Sequence, residues 1–460
     1  MKKNIFLYVL FLVVSMSLLT SSCIMTTAST GDYLIYDVWD GSTEMEPMEN
    51  ESGSIYNIYN ARQLYTLQQR GTYPAGDTYR LKANIDLAGK NWTPIGTSSS
   101  YFQGTFEGEG HTIKGLKLPN LNNTGLFCWI QGVSSLNTAK VENLNIILSD
   151  GNITSSTVHR VGVLAGYAQY AEITNVTISA ASGAKLNIIS TASMDLYVGG
   201  IIGDSLSDTT ISESSSNVNI TAKSFSFNCS SGGISGKITS ANITKCYNRG
   251  KIFAESSATI THAGGITGTM ENSASISSSY STGEITATGY GSAYSGGIAG
   301  LAKSISYCYA TGDVSAITSS SAFAGGIAGY LNSSTINNCY ARCNITTNTS
   351  SITDFAFAGG ILGNRSSGVV MNCIFLRGII NASGTICYAG NIAGTFNGAD
   401  INNTASSSGI HRDPMSSDTD ANNGTLDNYA DLLQTVTTTT FNWGSEWRFR
   451  TGHDPKLQWE

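Results

Sequence analysis

Gly325-Gly326-Ile327-Ala328-Gly329 is one copy of a unit that recurs along most of this 460-residue chain. Related pentapeptides begin at Gly162, Gly199, Gly232, Gly264, Gly296, Gly359 and Gly390. Consecutive copies start 29 to 37 residues apart, and Gly125-Leu126-Phe127 lies upstream as a divergent first copy. Self-similarity at this period predicts a stacked repeat architecture.

A second pattern recurs with about the same period as the glycine unit. In it, an aliphatic residue is followed three positions later by a small or apolar one. The nine pairs are Val141/Leu144, Ile173/Val176, Ile211/Ser214, Ile243/Cys246, Ile276/Ser279, Ile305/Cys308, Ile336/Cys339, Val370/Cys373 and Ile401/Thr404. Inward residues on a strand are two apart, so a spacing of three predicts a bend. In five pairs the residue before the second member is Asn, which tolerates left-handed φ. The pattern predicts a stack of Asn at this bend, with strands on either side.

Composition favours a coiled sheet as the body of the chain. Only 12% of the residues are charged, and proline is absent between Pro119 and Pro414. Proline removes a ladder donor, so a long proline-free stretch is typical of strands that are paired on both sides. We therefore predict an all-β parallel β-helix of about nine rungs. The glycine unit should be one strand of each rung, and segments such as 312–315 should supply another.

The ends of the chain predict a targeting segment and two caps. Lys2 and Lys3 precede an apolar run from Ile5 to Leu19, which ends at Thr20-Ser21-Ser22-Cys23. This resembles a bacterial lipoprotein signal, which implies lipid attachment at Cys23; the alternative is an ordinary cleaved signal. Residues 57–70 have helical periodicity and should cover one open end of the coil. The predicted organisation is a signal peptide at 1–22, a flexible spacer at 23–52, an N-terminal cap with the first strands at 53–120, a repeat β-helix at 121–405 and a C-terminal cap at 406–460.

One family resemblance covers roughly residues 55–405. The motifs Trp92-Thr-Pro-Ile-Gly96, Phe102-x-Gly-x-Phe-x-Gly-x-Gly-His-x-Ile113 and Gly125-Leu-Phe127 look like the opening of bacterial surface proteins with GLUG repeats. The unit at Gly296 is similar to the GLUG repeat itself. The resemblance implies a right-handed β-helix on an exported, adhesin-like protein. It carries no catalytic residues.

The nine cysteines do not form a recognisable disulfide or zinc framework. Cys246, Cys308, Cys339 and Cys373 occupy one equivalent position on different rungs, which predicts small inward-facing side chains. A bond between Cys308 and Cys339 on adjacent rungs is possible but not required. No CxxC pair occurs, so we do not expect a structural zinc site. We also predict no other metal and no cofactor.

Catalytic motifs are weak, so we assign no catalytic residues. Gly203-Asp-Ser-Leu206 matches an esterase signature as a string, but it falls inside the repeat without the strand–turn–helix setting that the motif needs. The five histidines are scattered. Parallel β-helices can house polysaccharide lyases and hydrolases, so a glycan-degrading enzyme stays the alternative function.

Four tyrosines are the candidate ligand-binding residues. Tyr247, Tyr280, Tyr309 and Tyr340 follow the inward residue on four consecutive rungs, which predicts an exposed stripe. Such a stripe could bind a glycan or a surface protein, or it could stack on itself and stiffen the coil. We expect an outer-membrane lipoprotein on the surface of a Gram-negative bacterium that presents a rigid β-helix for adhesion or binding, held to the membrane by its lipid alone. The net charge of −7 makes nucleic acid an unsuitable partner.

Overall fold

The computed structural model describes residues 36–376, 378–394, 446–448 and 454–460, and the backbone of the short strands at 399–401, 404–405, 410–412 and 425–426. It confirms a parallel β-helix of about nine turns. Each full rung contributes five short strand segments, and equivalent segments of successive rungs pair in parallel and in register. The coil therefore has five strand columns, numbered here along the rung.

Column 1 precedes the glycine unit and forms a nine-stranded parallel sheet. Its strands are Asn123–Thr124, Arg160–Gly162, Leu196–Gly199, Cys229–Gly232, Thr261–Gly264, Ala293–Gly296, Ala322–Gly325, Phe355–Gly359 and Ile386–Gly390. Column 2 follows the glycines. Its strands are Phe127–Gln131, Ala165–Gln169, Ile202–Leu206, Ser235–Thr239, Thr267–Glu271 and Ala299–Ala302, while Ala328–Asn337 and Leu362–Met371 continue from column 2 into column 3.

Columns 3 and 4 meet at the predicted bend. Column 3 contains Thr210–Ser212, Asn242–Thr244, Ser275–Ser277, Ser304–Ser306 and Ala399–Ile401. Column 4 contains Ser215–Ser216, Tyr247–Asn248, Tyr280–Ser281, Tyr309–Ala310, Tyr340–Ala341, Ile374–Phe375, Thr404–Ala405 and Thr425–Leu426. Ala171–Ala180 runs through both columns, and Ala139–Ser155 runs on into column 5.

Column 5 closes the rung before the chain returns to column 1. Its strands are Leu186–Ser190, Ile220–Ser224, Ile252–Ser256, Ile285–Gly289, Val314–Thr318, Ile345–Thr349, Ile380–Ser383 and Ile410–Arg412. The strand predicted at 312–315 corresponds to Val314–Thr318.

The glycine unit is a corner between columns 1 and 2, so its prediction as a strand was wrong. Gly325 ends one strand, Gly326 and Ile327 turn, and Ala328 begins the next. A Cβ at Gly326 would lie 2.5 Å from the Cβ of Ala341 and still closer to the Gly360 carbonyl oxygen of the next rung. Glycine recurs here because backbone of one rung packs directly on backbone of its neighbour.

The bend between columns 3 and 4 is confirmed, and it does not depend on asparagine. Left-handed φ occurs on eight successive rungs, at Asn143, Asn175, Glu213, Lys245, Ser278, Tyr307, Asn338 and Asn372. Asn175 donates to the Asn143 side chain at 2.7 Å, so the predicted stack exists at the first two positions. The bend aims residues three apart, such as Ile305 and Cys308, at the same core.

The N-terminal cap has the predicted helix and begins earlier than predicted. Ala61–Gln69 is helical, its N-cap Asn60 accepts from the Gln63 amide, and Leu64 and Leu67 are buried against the coil. The remaining strands of this region are Tyr36–Val38, Glu49–Ser52, Ile55–Ile58, Thr78–Leu81, Asn84–Asp86, Thr105–Glu107 and Thr112–Lys117.

The flexible spacer predicted over 23–52 was too long. Tyr36–Val38 pairs in parallel with Asn84–Asp86, and the buried Trp39 ring packs against Tyr65 and Trp92. These contacts place the residues from Tyr36 onward in the fold, because an apolar ring and a paired strand cannot belong to a solvated linker. Cys23 lies outside the described residues.

The described part of the predicted C-terminal cap, 406–460, departs from the prediction. Ile410–Arg412 and Thr425–Leu426 pair in parallel with strands of columns 5 and 4, so the coil continues past its predicted end at 405. The C-terminal segment that follows lies on the side of the coil. In its described part, Trp447–Arg448 and Lys456–Leu457 form a small antiparallel pair. Trp447 and Leu457 belong to one apolar cluster with the column 4 tyrosines. In the part of the chain that the structure describes, no helix has the length and apolar character needed to cross a bilayer.

Candidate functional site

The four tyrosines form one continuous stack on the outside of column 4, as their spacing predicted. Their ring centroids are 5.0 Å apart between Tyr247 and Tyr280, 4.8 Å between Tyr280 and Tyr309, and 4.9 Å between Tyr309 and Tyr340. Neighbouring rings are within 6° of parallel. The stack arises because the tyrosines are register partners on paired strands.

The prediction that all four rings are exposed was wrong. Tyr280, Tyr309 and Tyr340 are only 5%, 2% and 1% exposed, and Tyr247 alone is half-buried. The C-terminal segment covers them: Trp447 lies 5.5 Å from the Tyr340 ring and Trp459 lies 5.8 Å from the Tyr280 ring. Outward-facing rings carry enough apolar area to favour such a cover.

Hydrogen bonds join the covering segment to three successive rungs. The Tyr340 hydroxyl donates to the Pro455 carbonyl at 2.8 Å, and the Tyr309 hydroxyl donates to the Glu460 carboxylate at 2.9 Å. The Trp459 indole donates to the Ser278 carbonyl at 2.9 Å. Burial raises the pKa of Tyr309, so its hydroxyl stays a protonated donor at neutral pH.

A cleft of about 760 Å³ opens where the segment leaves the stack. It is lined by Tyr247, Arg249, Tyr280, Arg342, Arg448, Asp454, Lys456, Trp459 and Glu460. The half-buried Tyr247 and Trp459 rings are 6.3 Å apart and inclined by 27°. Arg342 pairs with Asp454 at 2.9 Å, and Lys456 pairs with Glu460 at 3.1 Å. The cleft thus combines aromatic faces with a fixed set of hydrogen-bonding groups, which is the make-up of a small-ligand site.

The part of this site that the C-terminal segment contributes was not predicted from the sequence. Its signal was present: tryptophan is absent from 130 to 442 and returns at Trp443, Trp447 and Trp459, matching the aromatic row that needs a cover. Periodicity could not reveal the contact, because the partners are 115 to 181 residues apart in sequence.

A second aromatic row was also missed. Five aromatic side chains lie two residues before the first glycine of a unit and form a row along column 1, with centroids 5.1 to 5.5 Å apart: His262, Tyr294, Phe323, Phe357 and Tyr388. The first three rings stack, whereas Phe357 is inclined by 60° to Phe323 and Tyr388 by 69° to Phe357. Burial lowers the pKa of His262 to about 4, so this ring is neutral at physiological pH. Earlier on the same face, Arg160 pairs with the buried Asp204 at 2.9 Å, and burial raises the pKa of that carboxyl.

The inward cysteines lie where the sequence placed them. Cys246, Cys308, Cys339 and Cys373 are buried at the same position on their rungs. No disulfide joins cysteines in the described residues. Within the same residues, no group of three or more His, Cys, Asp or Glu side chains has the arrangement to hold a metal ion.

Comparison with known proteins does not show a family for this chain. No family model matches the chain, and no curated protein sequence matches it. A crystal structure described as a putative immunoglobulin A1 protease from Bacteroides ovatus is 18% identical, with a TM-score of 0.36, covering 88% of this chain and 92% of that chain. A likeness this distant carries no information on activity.

Proposed function

We propose that this protein is an exported, lipid-anchored β-helix that binds a glycan or a surface protein at the cell surface without catalysis. The cleft beside the tyrosine stack is the binding site in this proposal. One observation carries it: two half-buried aromatic rings, Tyr247 and Trp459, border a cleft that also holds charged groups. The resemblance to GLUG-repeat surface proteins and the lipoprotein-like segment ending at Cys23 support the location.

Aromatic faces beside polar groups suit a sugar ring. The C–H face of a pyranose stacks on an aromatic ring, while its hydroxyls need donors and acceptors in fixed positions. Lys456 and Glu460 are held by one another and by the tyrosine stack, so they are ordered before a ligand arrives. A rigid site loses little conformational entropy on binding.

A glycan array probed with the purified protein tests whether the protein binds glycans. Substitution of a cleft residue then tests whether the cleft is the binding site. Tyr247→Ser removes one stacking face, so we expect about a tenfold loss of affinity for the best glycan. Tyr290→Ser is the matched control, since Tyr290 is 71% exposed and does not line the cleft. Unchanged affinity in Tyr247→Ser, with circular dichroism intact, would place binding elsewhere.

Membrane fractionation tests the anchor separately. Cys23→Ala removes the thiol that a lipoprotein signal requires, so the variant should leave the membrane fraction. Ser22→Ala, which leaves the thiol in place, is the control. Continued membrane association of Cys23→Ala would exclude lipid attachment at this residue.

The alternative function, a glycan-degrading enzyme, is favoured by one pair of carboxylates. Glu107 and Glu142 are register partners on neighbouring strands. Burial and then the adjacent Glu107 raise the pKa of Glu142, which is the property of a general acid. Release of reducing ends from pectin or mucin that is lost in Glu142→Gln would establish this alternative over the binding role.

A further inference from the structure

The cleft beside the tyrosine stack carries excess positive charge on an acidic protein. Four of its lining residues are cations and two are carboxylates. Arg342 and Lys456 are neutralised by Asp454 and Glu460. Within the described residues, Arg249 and Arg448 have no carboxylate at ion-pair distance, although the whole chain has a net charge of −7.

Arg249 is held in place by the first two tyrosines of the stack. Its guanidinium lies 4.7 Å from the centre of the Tyr247 ring, and its Nη2 donates to the Tyr280 hydroxyl at 3.4 Å. A guanidinium has five N–H donors in a planar fork, so most of them are left for another acceptor. Carboxylate and sulfate groups match this fork with two parallel hydrogen bonds.

A neutral ligand would fit this cleft poorly. Covering Arg249 with uncharged sugar hydroxyls would remove water from a cation without supplying an opposite charge. An acidic group supplies that charge and gains a charge-assisted hydrogen bond. The same cations therefore attract an anionic ligand and disfavour a neutral one.

We propose that the cleft recognises an acidic saccharide, with Arg249 and Arg448 receiving its carboxylate or sulfate while Tyr247 and Trp459 pack against the ring. This inference rests on the proposed binding function and names the chemical class of its ligand. Arg249 sets specificity in it, since the stack orients its guanidinium and no carboxylate in the described residues pairs with it.

Calorimetric titration of the full-length protein with matched saccharides tests the inference. The probes are galacturonic acid oligomers, the same oligomers with their carboxyl groups reduced, and chondroitin sulfate oligomers. We expect binding of at least one acidic probe and at least tenfold weaker binding of the reduced oligomers. A preference between the first and third probes tells carboxylate from sulfate recognition.

Arg249→Gln and Lys251→Gln form the matched pair of variants. Both remove one positive charge, but Lys251 is exposed, pairs with Glu284 at 2.9 Å and does not line the cleft. We expect Arg249→Gln to weaken acidic-probe binding at least tenfold and Lys251→Gln to weaken it less than twofold, with unchanged melting temperatures. Arg249→Lys should fall between Arg249→Gln and the unaltered protein, because it keeps the charge and loses the fork.

The outcomes separate the two proposals. Equal binding of acidic and reduced oligomers, sensitive to Tyr247→Ser but not to Arg249→Gln, overturns the acidic specificity and leaves the binding function standing. Equal losses in Arg249→Gln and Lys251→Gln place the effect in general surface charge and also overturn the inference. If these saccharides and a glycan array all fail to bind, both the inference and a glycan-binding function are overturned.

Discussion

Cys308 and Cys339 occupy an inward slot that serine fills on other rungs. The Ser279 hydroxyl donates to the Ser277 carbonyl at 2.7 Å and accepts from the Cys246 amide at 3.1 Å. Cys339 makes the same two contacts, donating to the Asn337 carbonyl and accepting from the Cys308 amide. The slot therefore requires a small side chain that can both donate and accept.

We expect the double substitution Cys308→Ser plus Cys339→Ser to leave the protein folded. Each new hydroxyl finds a carbonyl acceptor equivalent to the one that Ser279 uses, so the free energy of unfolding should change by about 1 kcal/mol per site. Thermal unfolding followed by circular dichroism measures this. Ser279→Cys is the reverse control and should be tolerated equally. Loss of the β-sheet signal in the double variant would show that the thiols do more than fill space.

Gly326 is a corner position that leaves no room for a side chain. Gly326→Ala would press a methyl group against the Ala341 side chain and the carbonyl of Gly360, neither of which can retreat without moving its rung. We expect a loss of about 3 kcal/mol in the free energy of unfolding, the upper range for overpacking. Gly76→Ala is the control, because nothing lies within 4 Å of its added Cβ. Similar unfolding curves for the two variants would contradict the crowded corner.

The tyrosine stack and the C-terminal segment form one packed unit. The apolar cluster contains Tyr280, Tyr309 and Tyr340 together with Trp447 and Leu457. The segment covers the tyrosine rings, and the rings in turn cover Trp447 and Leu457. The stack is therefore both a stiff ladder along the coil and the floor on which the segment docks.

Substituting Tyr280→Ser plus Tyr309→Ser should release the segment. The change removes two buried rings and the hydrogen bond to Glu460, so we expect a loss of about 3–5 kcal/mol in the free energy of unfolding. Faster proteolytic cleavage within 446–460 than in the unaltered protein would report the release. Tyr290→Ser, on an exposed ring, should alter neither measurement. A protected segment in the double variant would mean that other contacts hold it.

The sequence predicted the period of the coil, its bend and the N-terminal helix, and it missed the contact between the C-terminal segment and the tyrosines. Three features follow from sequence patterns that recur on successive rungs: the period, the bend at residues such as Asn338 and the inward-facing thiols. An outward tyrosine gives the same pattern whether water or protein covers it, so the burial of Tyr309 could not be foreseen. The glycine corner was predicted to be a strand because close packing of backbone between rungs excludes large side chains from a corner and from a crowded strand alike.

The half-buried His262 should make the stability of the folded chain sensitive to acid. The pKa of His262 is about 4 in the folded chain, against 6.5 for the ordinary side chain. Between these values the unfolded chain binds more protons, so the free energy of unfolding decreases as pH falls from 6.5 to 4. The decrease from this one ring is at most about 3 kcal/mol.

His262→Phe should remove that part of the acid sensitivity. Phenylalanine already occupies the equivalent position at Phe323 and Phe357, so the ring fits the row. We expect stability at neutral pH to be equal or higher and the decline between pH 6.5 and 4 to be shallower, measured by denaturant unfolding at several pH values. Tyr294→Phe is the control from the same row and should keep the original slope. An unaltered slope in His262→Phe would assign the acid sensitivity to other groups.

The side placement of the C-terminal segment has a mechanical consequence. In a coil held only by contacts between neighbouring rungs, tension at one end can peel the rungs away one at a time. The segment bonds to Ser278, Tyr309 and Tyr340, which belong to three successive rungs. These rungs share a load and must rupture together, so the middle of the coil should resist a pulling force that unwinds its ends.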